Sequence, residues 1–347
     1  MQEPQLNVPL LRRRVPNLTV AARAVGLRPA TVSDLCNGKI PLARAEVRTL
    51  VALAQLAGCT LDELVIRGSG VSMVETGIKV LDLFAPLVRG GTVGLVARPG
   101  MGQMVLLAEL MRRLRQRGFA ALLWAPRPHP HLTEAAGEAE ALATSLEEAA
   151  ELAARLREER DLLLATDRSA VLSGELLALR ERLAEPGARP VTFALVDALG
   201  EAPDEEAPYG PLESLWRFDA DLMARGLWPA IDPIGSTSTL LEGAQLESGH
   251  LAVQQRARKL LRRYRELHAL VRVRGADWLP ESEAPAYRRG ERLEAFLTQA
   301  LYVAEPHTQR PGEWVSLPDT VDSVRRLLDG AADALPPEAL AYIGRLG

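Results

Sequence analysis

The chain has 347 residues, 47% hydrophobic and 25% charged, a globular composition with room for two or three domains and a sizeable core. Cys36 and Cys59 are its two cysteines, which excludes a disulfide framework or a cysteine metal set. No apolar run is long enough to span a bilayer or serve as a signal-peptide core, so the expected compartment is the cytoplasm and no membrane partner is expected.

The net charge of −4 is unevenly shared. Nine basic against five acidic side chains give +4 in residues 1–67, which leaves −8 for residues 68–347. A basic module on an acidic body points to a polyanion partner at one end only. Within that module Leu18 to Asn37 reads as a short helix, a turn at Gly26 and a second helix, with Pro29 near the second helix's first position, where its missing N–H costs little. Ala22, Gly26, Val32 and Leu35 supply the small crossing residue, the turn glycine and the apolar anchors that a helix-turn-helix needs. An amphipathic helix with Val47, Leu50, Val51 and Ala54 follows, then a short capped helix from Thr60. The run ATVSDLCNGK to LVALAQLAGCTLDELV resembles the phage-repressor type of helix-turn-helix over residues 9–66.

That resemblance implies a second helix lying in the major groove of duplex DNA. By position Arg28, Ala30, Thr31 and Asp34 then face the bases, and Ser33, Asn37 and Lys39 the phosphates. Arg28 has the fork to read a guanine. Asp34 either accepts from a cytosine amino group or is a plain surface carboxylate. The run Arg12 to Arg14 is a solvated face or a backbone contact, and both cysteines read as small core or half-buried residues. The alternative for the whole module is a helical hairpin used for protein contacts. Ile66 to Ser72 is a short linker.

Beyond it, apolar runs at Thr92–Ala97, Ala120–Ala125, Asp161–Ala165 and Val191–Asp197 alternate with helical stretches at Gln103–Arg117, Thr133–Arg160 and Ala170–Ala184. This predicts a mainly parallel sheet with helices on its faces. Between the first strand and the first helix, Pro99, Gly100 and Gly102 sit where a phosphate-cradling loop would be. Such a loop demands G-x-x-x-x-G-K-[ST]. Counting back from Gly102, the first glycine is Ala97, the lysine is Gln103 and the hydroxyl residue is Met104.

ETGIKVLDLFAPLVRGGTVGL (from Glu75), GLWPAIDPIGSTS (from Gly226) and Val253 to Glu305 with GADWLPESEA resemble, in order, the F-type ATP synthase β subunit from about Val71 to the C-terminus. The resemblance implies a RecA-like P-loop NTPase core over residues 77–242 and an all-α C-terminal domain over 243–347, behind a head at 1–67 and a linker at 68–76. It makes Asp197 the magnesium-ordering aspartate. It replaces the general-base glutamate by Arg127 or a nearby proline, and puts Trp228 and His307 at the adenine-contacting aromatics. Trp228 follows Asp197 by only 31 positions, so strand–helix units have been lost, with Glu201 to Pro211 closing the gap. Gly100, Gly102, Gln103, Asp197 and Trp228 thus form a degenerate nucleotide site, expected to be empty. No catalytic residue, cofactor or metal is expected. The chain reads as a pseudo-ATPase that binds duplex DNA, a transcriptional regulator or nucleoid-associated protein, working as a homo-oligomer with a hexameric ring as one form. The alternative is an adaptor that engages ATP-synthase-like partners.

Overall fold

The computed structural model describes residues 5–15, 18–36, 39–66, 72–127, 129–185, 187–201, 205, 208–241, 246 and 248–347. The chain divides into two compact units, Met1–Ser72 with Thr239–Glu247, and Met73–Ser238 with Ser248–Gly347. The second unit thus takes in both stretches that the sequence divides at residue 242.

In the first unit β1 (Gln5–Leu6) is followed by α1 (Val8–Arg14), α2 (Leu18–Ala24), α3 (Pro29–Cys36), α4 (Val47–Ala57), α5 (Leu61–Leu64) and β2 (Val65–Ile66), which pairs antiparallel with β1. Gly26, at φ 75°, turns the chain between α2 and α3, a conformation that costs glycine little. Ala22, Val32 and Leu35 are buried with Leu11, Leu53 and Leu64 in one apolar cluster. Cys36 and Cys59 are half-buried and not joined in a disulfide. Val47, expected on the apolar face of α4, is instead 70% exposed. It is the first residue of the helix, and the buried stripe runs through Thr49, Leu53, Ala54 and Ala57.

In the second unit β3 (Met73–Val74) and β4 (Leu87–Val88) pair antiparallel across α6 (Lys79–Phe84). Then come β5 (Thr92–Val96), β6 (Ala120–Trp124), β7 (Ala141–Ala143), β8 (Leu162–Asp167), β9 (Val191–Val196), β10 (Ser214–Arg217) and β11 (Thr237–Ser238). Among the described residues these seven form one sheet in the order β11-β10-β5-β9-β8-β6-β7. Each neighbouring pair is parallel except β10 with β11. β5, β6 and β9 are buried along their whole length, the pattern of parallel strands covered on both faces. The covering helices are α7 (Gln103–Gln116), α8 (Thr133–Glu138), α9 (Leu146–Glu159), α10 (Arg168–Leu172) and α11 (Glu175–Arg182). After α12 (Ala220–Ala224) the chain continues through α13 (Ser248–Arg274), α14 (Ala284–Phe296), α15 (Glu305–Thr308) and α16 (Leu317–Leu328). The unit is α/β with a mostly parallel sheet, as its alternating pattern predicts.

Two predicted helices are broken. Thr133–Arg160 is interrupted by β7, and Ser145, two residues beyond that strand, caps α9, accepting from the Glu148 N–H at 3.2 Å while the Glu148 carboxylate accepts from the Thr144 N–H at 2.8 Å. Ala170–Ala184 is split at Gly174, whose φ of 80° lies outside the helical region. The short connection from β9 to β10 is closed by Tyr209, whose hydroxyl donates to the Leu95 carbonyl at 2.6 Å. Gly94 permits that packing, since a Cβ there would lie 2.6 Å from the tyrosine ring. Of the predicted closing loop, 202–204 and 206–207 lie outside the described residues.

Candidate functional site

The residues of the broken phosphate loop come together where β5 hands over to α7. The Arg98 N–H donates to Met101 Sδ at 3.3 Å, and Gly100 and Gly102 adopt φ of 77° and 85°. Gly102 precedes α7 with no side-chain cap, and the side chains that follow, Gln103 and Met104, are buried. A ring lies directly on this turn: a Cβ on Gly102 would sit 2.5 Å from Trp228 Cζ3. On the loop's other flank Gly200 is pressed against Pro99, where a Cβ would be 2.6 Å from Pro99 Cδ. A triphosphate cradle needs open amides at the helix start, a lysine ammonium and a hydroxyl for magnesium. This junction presents an indole, an amide side chain and two thioethers.

Asp197, at the end of β9, is 5% exposed, and its Oδ1 accepts from the Leu199 and Gly200 amides at 3.1 and 2.9 Å. Its neighbour Asp167, at the end of β8, accepts from the Ser169 amide at 2.9 Å and the Ala198 amide at 3.0 Å. Both carboxylates therefore order the turns that carry them. Asp167 escaped the sequence reading, although the apolar run LLLATD ends on it as VTFALVD ends on Asp197. Arg127, which with a nearby proline is where the resemblance expects the general base, is exposed.

Beside Trp228 lies a cavity of about 600 Å³ whose walls include Tyr302, Tyr342, His307, Arg112 and Arg310. Trp228 and His307, the two positions that the resemblance assigns to adenine, thus line one space. Arg310 stacks over the Tyr342 ring at 4.1 Å and Arg112 over Tyr302 at 5.8 Å. Arg112 also faces Glu138 at 3.6 Å. Aromatic walls with two guanidinium planes suit a flat ring.

The structure is similar to that of a unique ATP synthase subunit, NeqB from Nanoarcheaum equitans, with a TM-score of 0.61 and 18% identity over 76% of this chain and 77% of that one. Over that stretch the fold is ATP synthase-like. At that identity the likeness is one of fold, and 513 solved chains match it, so activity has to be argued from the site. No family model matches the sequence.

A buried charged belt ties this ATP synthase-like fold together around Gly77. Arg113 and Glu109 pair one turn apart on α7, Nε to Oε1 at 2.5 Å, both wholly buried. Arg113 also donates to the Gly77 and Glu313 carbonyls at 2.9 and 2.8 Å, and Glu109 accepts from the Tyr302 and Val303 amides at 3.1 and 2.9 Å. Gln299 donates to the same two carbonyls and accepts from the Lys79 amide. Lys79 Nζ donates to the Phe296 and Ile343 carbonyls, and burial lowers it to about 7 against the pull of Glu313. Burial pushes the Asp82 carboxyl up to about 7, against hydrogen bonds from Thr76 and Gly77.

In the first unit Arg28, Ala30 and Ser33 are exposed along α3 and its approach, and Thr31 and Asp34 are half-buried. Lys39 Nζ lies 3.7 Å from Asp34 Oδ1, so two side chains expected to meet different parts of DNA face each other. Asn37 lies outside the described residues. Among the described residues no helix is long and apolar enough to cross a membrane.

Proposed function

We propose that this protein is a non-catalytic relative of ATP synthase β subunits whose N-terminal helix-turn-helix binds duplex DNA, as a transcriptional regulator or nucleoid-associated protein. The observation that carries the non-catalytic part is Trp228 lying on Gly102, with Gln103 and Met104 in place of the lysine and the hydroxyl. Each missing preorganised electrostatic group costs ~10²–10³-fold in rate. The DNA reading is supported by the +4 charge of residues 1–67 and by the exposed Arg28, Ala30 and Ser33. The body's role in this reading is to bring heads together in a homo-oligomer.

A second reading, a pseudo-ATPase that works through protein contacts, is favoured by exposed apolar side chains where α13 ends: Leu270, Val273 and Trp278. Two measurements separate the possibilities. Purified protein is expected to shift duplex DNA at moderate salt, equally with and without Mg·ATP. Turnover of Mg·ATP is expected to stay at background; rates typical of P-loop ATPases would overturn the pseudo-enzyme reading. No shift with any duplex would leave the adaptor.

A further inference from the structure

Beside α3 the first unit carries a groove of about 610 Å³ whose lining includes Arg28, Thr31, Arg44, Glu46, Arg48 and Thr49. Its cations come from three separate places. Arg28 precedes α3, Arg44 ends a 3₁₀ turn at Leu42–Arg44, and Arg48 lies in the first turn of α4. All three are exposed, and among the described residues Arg28 and Arg44 form no ion pair. Arg48 pairs with Glu46, both largely open to solvent at 84% and 61%. We propose that the nucleic-acid surface extends off α3 into this groove, where Arg44 and Arg48 hold a phosphate of duplex DNA while Arg28 faces the bases.

This deepens the DNA-binding reading and rests on it. A guanidinium fork matches phosphate oxygens two at a time, and a groove with three such forks and one carboxylate is a net cationic track. Exposed ion pairs are worth little, so a phosphate displaces Glu46 from Arg48 at small cost. Glu46 is then an internal competitor for the DNA backbone. The two walls have different duties, because phosphate contacts position a protein while base contacts specify the sequence.

The test is equilibrium binding of the full-length protein to the duplex it shifts most strongly and to a scrambled version of it, and to single-stranded RNA of the same length, across a salt series. Each phosphate contact contributes about 0.9 to the slope of log affinity against log salt. Arg44→Ala and Arg48→Ala are each expected to flatten that slope by roughly one and to weaken both duplexes alike. Glu46→Gln is expected to tighten binding and steepen the slope, a gain that no merely structural role for Glu46 would give. Unchanged slopes in both arginine variants, on DNA that the parent still binds, overturn the inference and leave the DNA reading standing. Absence of duplex binding by the parent overturns that reading itself. RNA bound more tightly than either duplex, with the same arginines responsible, overturns DNA as the occupant.

Discussion

Gly102 shows how one residue decides what the loop can do. Its left-handed backbone is what lets the chain turn from β5 into α7, and its missing Cβ is what lets Trp228 lie on the turn. Gly100 shares the conformation but faces open space. The two therefore separate backbone strain from ring contact. Gly100→Ala carries the left-handed cost alone, about 1–2 kcal/mol. Gly102→Ala carries that cost and also drives a methyl into the indole, so its loss in urea unfolding is expected to exceed that of Gly100→Ala clearly. Equal losses would mean that Trp228 does not rest on the loop in solution. Trp228→Ala is expected to recover most of the excess in the Gly102→Ala background, since the clash partner is gone. On the head, Arg28→Ala is expected to cost about 1–3 kcal/mol and to relax sequence preference if its fork reads a guanine. A loss spread evenly over all sequences would make Arg28 another phosphate contact.

Among the elements, what was legible and what was not follows from where each strand gets its partners. β5, β6, β8 and β9 are central, and their apolar runs announce themselves. β7 is a three-residue edge strand with Leu142 52% exposed, and helical spacing of its leucine with Leu146 concealed it. The clue was present in Ser145 three residues before Glu148, the spacing of a helix-capping box. The loop's departures from the phosphate-cradling pattern could be read residue by residue. Its roof could not, because Trp228 reaches Gly102 from far along the chain. Nor could the buried belt: Arg113 meets the Glu313 carbonyl and Lys79 the Phe296 and Ile343 carbonyls across more than half of the sequence. That belt gives α6 a pH signature. Asp82, raised from 3.8 to about 7, makes the folded state hold the extra proton between those values, so its contribution to stability falls as pH rises through them. Lys79, lowered from 10.5 to about 7, makes the unfolded chain hold the extra proton above 7, so its contribution rises with pH from there. Asp82→Asn is expected to remove the falling limb and Lys79→Met the rising one, each up to about 1.4 kcal/mol per pH unit. The readout is the difference in urea unfolding free energy between parent and variant across pH. A flat difference in either window would show that the group keeps its ordinary titration.

At the scale of the whole molecule the question is why an ATP synthase-like body accompanies a basic head. The first unit has its own apolar cluster around Leu11, Leu53 and Leu64, and residues 1–67, the larger part of it, carry +4 against −8 on residues 68–347. On the proposed DNA-binding reading, a head of this size meets few base pairs, and repressor-type heads act in pairs on spaced half-sites. The stretch between α5 and β3, residues 65–72, is too short for a helix on which two heads would pair, which leaves the body to supply the multiplicity. Joining weak heads raises avidity by ~10²–10⁴ without any new contact. The full chain is therefore expected to run as an oligomer in light scattering at micromolar concentration. Its DNA occupancy is expected to rise more steeply with protein concentration than a single-site curve allows. The full chain is the right object, because Thr239–Glu247 belongs with the head and a simple N-terminal fragment would lack it. A monomer both free and on DNA, with single-site binding at full affinity, would remove the oligomeric role. The acidic body would then act mainly through its charge. In that case shielding with salt is expected to weaken DNA binding less than the head's phosphate contacts alone predict, since the same salt also screens the repulsion between the acidic body and the duplex.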